Sequence, residues 1–212
     1  MRITLFHPVR RRPSVPVPGL LAMQARKEAR LAHYERFFGP SFAVSAQVEG
    51  APYVDLCVFA PNPLKGRDHY TLGTDGLSDL SRFSANGRGA LQSYEVIAYT
   101  PDLKAGAFAV RFMQHIAGAL ADPAKPLQPG AAIAAHEVDP EFPAEAKARQ
   151  LALLPPIREW KGFESRRFSD GSEARFLWAV LLHPADLRAF KEDRDAFLAR
   201  LGAGPIPFIH PA

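Results

Sequence analysis

Val54-Asp55-Leu56-Cys57-Val58-Phe59, Tyr70-Thr71-Leu72-Gly73-Thr74 and Tyr94-Glu95-Val96-Ile97-Ala98-Tyr99 are the stretches on which the fold turns. Each is short and rich in β-branched and aromatic residues, and Pro61-Asn62-Pro63 separates the first two. They read as consecutive strands, the last beginning near Leu91. Just upstream, Phe42, Val44 and Ala46 alternate with other residues, which predicts a half-buried strand. The period then changes. Leu20, Gln24, Lys27, Leu31, Tyr34 and Phe38 recur at helical steps over Gly19 to Phe38, and Gly39-Pro40 stops the helix.

The same reading continues downstream. Phe108, Phe112, Ile116 and Leu120 predict a helix over Ala105 to Ala121, with Asp102 as its cap and Asp122-Pro123 closing it. Pro123 to Pro143 is loop-rich, with a weak strand near Ala131 to Ala135. Leu151 to Leu154 and Ala174 to Leu182 predict two further strands. Phe163 to Phe168 is expected to pair with the second of them through Ser169-Asp170-Gly171. A final helix opens at Pro184, a favoured first-turn residue, and Leu187, Phe190, Phe197, Leu198 and Leu201 form its apolar face. Strict βαβ alternation is missing. The expected fold is therefore α+β: a mixed, mostly antiparallel sheet with flanking helices in a single domain. Pro13, Pro16 and Pro18 exclude a helix at the start, so residues 1–18 read as irregular and 19–205 as the domain. A chain of 212 residues buries roughly 70% of its unfolded surface, enough for a core without disulfides or metals.

The composition narrows the function. A single cysteine, Cys57, excludes a disulfide framework. The apolar stretch before Arg10-Arg11-Arg12 is too short for a signal sequence, and no run reaches the ~18–20 apolar residues of a membrane span, so a cytoplasmic protein is expected. The net charge of +4 comes from scattered basic residues, so neither nucleic acid nor membrane is the expected partner. The oligomeric state is left open. Seven histidines form no H-x-H or H-E-x-x-H pattern, so no metal and no cofactor are expected.

Nucleophilic catalysis has one candidate. Ser78 follows Gly76 as in a nucleophile elbow, but Leu80 stands where the second glycine is needed. Cys57 sits in an apolar strand, where a thiol is inert. Gly73, Gly76, Gly87 and Gly89 lack the Lys-Ser/Thr ending of a phosphate loop and read as turn residues. Glu95 is the informative carboxylate. In an apolar strand it needs partners, and the backbone donors of the Thr74–Asp79 turn are the expected ones. A hydrolase-like enzyme using the Thr74–Asp79 loop is the alternative reading.

The ordered set Val54 to Pro61, Tyr70-Thr71-Leu72-Gly73-Thr74-Asp75-Gly76-Leu77-Ser78-Asp79 and Tyr94 to Tyr99 resembles the suppressor-of-fused-like family. That family has a strand ending in proline, a leucine-x-thr-x-gly-met-ser-asp turn and a strand with an inward glutamate. Phe176 to Leu182, His183-Pro184 and the following helix are also similar. Here Leu77 replaces the usual methionine, Asp186 lies near a common glutamate, and Pro155-Pro156 is unusual. The resemblance implies an α+β fold without enzymatic activity. It implies a role as a protein-binding module, of the compact bacterial kind that acts as an immunity protein against a toxin. Thr74, Gly76, Glu95 and Pro184 are then structural motif residues, and Asp75, Ser78, Asp79 and Arg88 are the expected partner contacts.

Overall fold

Strands covered on both faces are apolar at almost every position, and that is why these stretches stand out in the sequence. The computed structural model describes residues 18–45, 54–80, 93–121, 130, 132–143 and 149–209. Its elements are α1 (Pro18–Phe38), β1 (Ser41–Ser45), β2 (Asp55–Phe59), a 3-10 turn (Pro63–Lys65), β3 (Tyr70–Asp75), α2 (Leu77–Leu80), β4 (Tyr94–Thr100) and α3 (Leu103–Ala121). Then follow β5 (Ala132–Ala134), α4 (Ala135–Val138), β6 (Gln150–Leu154), β7 (Ser165–Arg167), β8 (Glu173–Leu182), α5 (Pro184–Glu192) and α6 (Arg194–Ala203).

The strands form one eight-stranded mixed sheet in the order β1-β2-β3-β4-β8-β6-β5, with β7 also on β8. Every ladder is antiparallel except the central β4–β8 pair, which sets Glu95 beside Phe176 and Ile97 beside Trp178. The fold is α+β, in agreement with the sequence reading.

Alternation sorts the side chains into two cores. Val96, Ala98, Leu151, Leu153, Leu177, Ala179 and Leu181 face α3, meeting Phe112, Met113 and Ile116. Ile97, Tyr99, Leu154, Phe176, Trp178 and Val180 face the opposite layer, meeting Tyr34, Phe37 and Phe38 of α1 and Phe190 and Phe197 of α5 and α6. Gly73 belongs to this second face. A Cβ there would sit 2.9 Å from Tyr34 Cζ, so the glycine lets α1 press onto β3.

Four sequence expectations change. The buried face of α1 is Arg26, Arg30, His33, Tyr34, Phe37 and Phe38, while Leu20 and Gln24 of the expected stripe are exposed. Phe42 lies in β1 as expected but is 63% exposed, because period two gives an alternation without saying which set faces inward. The segment after Asp75 is not all loop, since Leu77–Leu80 forms a helical turn. The closing helix is two helices. Asp193 takes extended dihedrals at the break and its carboxylate accepts from Ala196 N at 3.0 Å, capping α6. Residues 1–17, among them Arg10 to Arg12, lie outside the described residues.

Candidate functional site

The turn after β3 and the facing start of β4 gather the site residues that the sequence singles out, apart from Arg88 and Pro184. Gly76 takes φ 115, a left-handed conformation that bends the chain back just as β3 ends. The bend aims the backbone N–H groups of the α2 turn at Glu95 on β4. Glu95 Oε1 accepts from Gly76 N at 3.1 Å, Ser78 N at 3.0 Å and Ser78 Oγ at 2.7 Å. Its Oε2 accepts from Thr74 Oγ1 at 2.6 Å, and Thr74 Oγ1 in turn accepts from Val96 N at 2.8 Å. A wholly buried carboxylate is thereby supplied with donors, which its burial demands.

Two arginines of α1 close the cluster from above. Arg30, 1% exposed, donates from Nε to Asp75 Oδ1 at 2.7 Å, from Nη1 to Ser78 Oγ at 3.3 Å and from Nη2 to Asp79 Oδ2 at 2.9 Å. Its Nε also lies 3.3 Å from Glu95 Oε1. One turn earlier, Arg26 Nε reaches Asp79 Oδ1 at 2.6 Å, and its Nη1 reaches Asp170 Oδ2 at 2.9 Å in the β7–β8 turn. Tyr34 donates its hydroxyl to the Thr74 carbonyl at 2.7 Å. Helix α1, the α2 turn, two strands and a hairpin are thus joined by one network.

Among the described residues Arg26 and Arg30 face Asp75, Asp79 and Glu95, with the half-exposed Asp170 at the margin. Burial would lower the pKa of Arg30, but Glu95, Asp75 and Asp79 offset that and hold it above its ordinary value. Asp75 is pushed up to about 6, first by burial and then by Glu95, against the pull of Arg30. Burial, helped by Asp75 and Asp55, lifts the Cys57 thiol to about 12, so it stays protonated and unreactive.

This geometry brings Thr74, Asp75, Gly76, Ser78, Asp79 and Glu95 together and encloses them. Asp75, Ser78 and Asp79 are at most 2% exposed, so touching a partner would require α1 to lift. Arg88 lies outside the described residues, and Pro184 opens α5 far along the chain. Sequence reasoning missed Arg26 and Arg30. The available signal was their i, i+4 spacing in register with His33, Tyr34 and Phe37 on one helix face.

A second clamp lies on the same side of the sheet. Arg67 grips Glu159 with both Nη atoms at 2.7 and 2.9 Å, and Tyr99 donates its hydroxyl to the same carboxylate. The Arg67 guanidinium lies 4.3 Å from the Phe38 ring centroid. Among the described residues no group of three His, Cys, Asp or Glu side chains is placed to hold a metal ion. Within those residues, no helix is long and apolar enough to cross a membrane.

The model of the suppressor of fused protein (SUFU) family matches residues 50–211. The chain belongs to that family. The match includes the Thr74–Asp79 turn and Glu95 but not α1, so both arginines that complete the SUFU turn's network come from outside the matched segment. A SUFU homologue from Neisseria gonorrhoeae superposes with TM-score 0.60 at 12% identity, covering 87% of this chain and 93% of that one. A chain of the Sufu-Fu complex crystal structure gives TM-score 0.60 at 13% identity, with 85% of each chain covered. At such identities the likeness is one of fold. No curated protein matches the sequence.

Proposed function

We propose that this SUFU chain is a non-enzymatic protein-binding module that takes a partner at the β1 end of its sheet. One observation carries the reading: among the described residues β1 hydrogen-bonds β2 alone, and it holds Phe42 out to solvent beside that open edge. An open edge is a row of unpaired donors and acceptors, the template for strand addition. The Sufu-Fu structure, with a chain of the same fold in a complex, supports a protein as the partner.

The network under α1 has a separate role in this reading. Asp75, Ser78 and Asp79 hold α1 on the sheet and so keep the binding face in shape. The finer reading is an immunity-type inhibitor that neutralises a toxin domain, and it rests on family membership. Against the rival hydrolase stands the burial of Ser78 under α1, out of a substrate's reach.

The test is affinity capture with the full chain and with Phe42→Asp and Ser78→Ala variants. A stoichiometric protein lost with Phe42→Asp and kept by a folded Ser78→Ala supports the module. Esterase or amidase turnover abolished by Ser78→Ala would establish the hydrolase instead. Growth rescue by co-expression with the captured protein decides the immunity role.

A further inference from the structure

Strands β6 and β7 both pair with β8, on the same side of it and in the same antiparallel sense. Leu154 lies opposite Trp178, Ser165 lies opposite Arg175, and Glu164 O accepts from Phe176 N at 3.0 Å. Residues 155–163 are therefore an excursion from what would otherwise be one continuous strand. Such excursions next to a covered sheet are where binding residues are carried on a rigid scaffold.

The excursion is fastened at three neighbouring points. Glu159 is held by the Arg67 fork and Tyr99. Arg158 donates to the carbonyl oxygens of Leu201, at 3.1 Å, and Gly204 at the end of α6. Phe163 is wholly buried, with ring centroids 5.3 Å from Phe37, 5.0 Å from Phe38 and 4.9 Å from Phe176. Pro155 and Pro156 fix φ at its start, and Phe163 N donates to Trp160 O at 3.0 Å to close its tip.

At that tip Trp160 is 61% exposed. A tryptophan carried on a pinned loop and left in water has lost much of its backbone ordering entropy in advance and retains its apolar area for a contact. Leu64, 97% exposed, stands on the 3-10 turn that Lys65 ties to the Arg36 carbonyl at the same end of α1. The charge around this end is cationic. Arg36, Lys161 and Arg166 are exposed, and Lys65 lies beside them. Acidic side chains lie there too, Glu35 bonded to Ser41, Glu164 bonded to Gly162 N and the exposed Asp68, and the basic ones outnumber them.

We propose that the 155–163 loop is a docking arm whose Trp160 seats in an apolar pocket of an acidic protein segment, with Lys161, Arg36 and Arg166 meeting its carboxylates. This deepens the protein-binding reading and rests on it. It adds a second contact to the one at β1.

The probe is a phage-displayed random-peptide library panned against the full chain. Enriched peptides should carry Asp or Glu around an aromatic or leucine anchor. Their affinity should fall at least about tenfold with Trp160→Ala and with Lys161→Glu, and also with added salt. The emission of Trp160 should shift on binding, while the buried Trp178 reports an intact fold in Trp160→Ala. Peptides without acidic residues, or peptides bound equally by Trp160→Ala, overturn the proposal. If such peptides are lost instead with Phe42→Asp, the edge reading survives and the docking arm does not. No enrichment at all overturns both. Binding to phosphatidylserine vesicles that depends on Trp160, with no peptide effect, replaces the protein partner by a membrane surface and also overturns it.

Discussion

The two arginine clamps on one face of the sheet use the same chemistry for different ends. Under α1, Arg26 and Arg30 meet three buried carboxylates, and the partners lie on a helix, a turn and two strands. At the loop, Arg67 meets one carboxylate in a planar fork, and what it holds is a stretch that shows Trp160 to water. In the first clamp three carboxylates share two arginines, so removing an arginine leaves buried carboxylates uncompensated. The second rests on one carboxylate, one of three fastenings of its loop, so its loss loosens the loop and leaves the sheet standing. Buried ion pairs add little by existing but cost much when broken on one side. The comparison predicts a large global effect at one end of the molecule and a smaller, local effect at the other.

The sharpest way to break it is Arg30→Ala. Three carboxylates lose their common counter-ion, and the expected loss is about 3–5 kcal/mol. A urea midpoint that falls with an unchanged slope would register it. A loss under about 1 kcal/mol would mean that the cluster does not hold α1.

The next effect is in pH. The ordinary value for Asp75 is 3.8, and burial with Glu95 raises it to about 6. Between these values the folded chain keeps a proton that the unfolded chain has released. The contribution to stability is therefore fully present below pH about 4 and is lost as pH rises through about 6. Relative to Asp75→Asn, which keeps the acceptor for Arg30 without titrating, the unaltered chain should lose on the order of 2–3 kcal/mol across that window. Urea midpoints taken from acid to neutral pH read the difference, and parallel curves for the two proteins would remove Asp75 as its source.

Glu159→Gln sharpens the other side of the comparison. Arg67 keeps a neutral acceptor but loses its counter-charge, at an expected cost of about 1–3 kcal/mol. The distinguishing readout is local. Trypsin should cut at Lys161 faster than in the unaltered chain, while the Trp178 emission stays that of a folded core. Cleavage spread over many sites would show that this clamp, too, holds the whole fold.

How much of this was legible in the sequence follows from the same contrast. The strands were, because a sheet covered on both faces writes apolar runs such as Val54–Phe59 and Ala174–Leu182. Glu95 stood out because it interrupts such a run. Arg26 and Arg30 did not, since an arginine on a helix looks like solvent face until its partners, 45 to 144 positions downstream, are folded against it. The exposed setting of Phe42 was hidden because β1 is an edge strand, and alternation does not choose a face. The break at Asp193 was hidden because an aspartate reads equally as a helix-surface residue or as a cap, and only the Ala196 N–H decides.

The smallest effect tests whether burial, rather than charge pairing as such, separates strong from weak contacts. Lys27 lies between Arg26 and Arg30 on α1 and pairs with Asp55 of β2, so it shares their helix, their neighbourhood and their type of partner. It differs in exposure: the Lys27 side chain is 42% exposed, against 1% for Arg30. Water and salt screen its attraction to Asp55, and both groups are solvated again if the pair opens. Lys27→Met should therefore cost no more than about 1 kcal/mol, and the cost should shrink further in high salt. The loss from Arg30→Ala should be nearly insensitive to salt, because counter-ions do not reach it. Urea midpoints of the two variants at low and high salt make the comparison directly. If Lys27→Met is as damaging as Arg30→Ala, what holds α1 to the sheet is the number of ion pairs along the helix. If the two separate as expected, it is the enclosed cluster on Glu95.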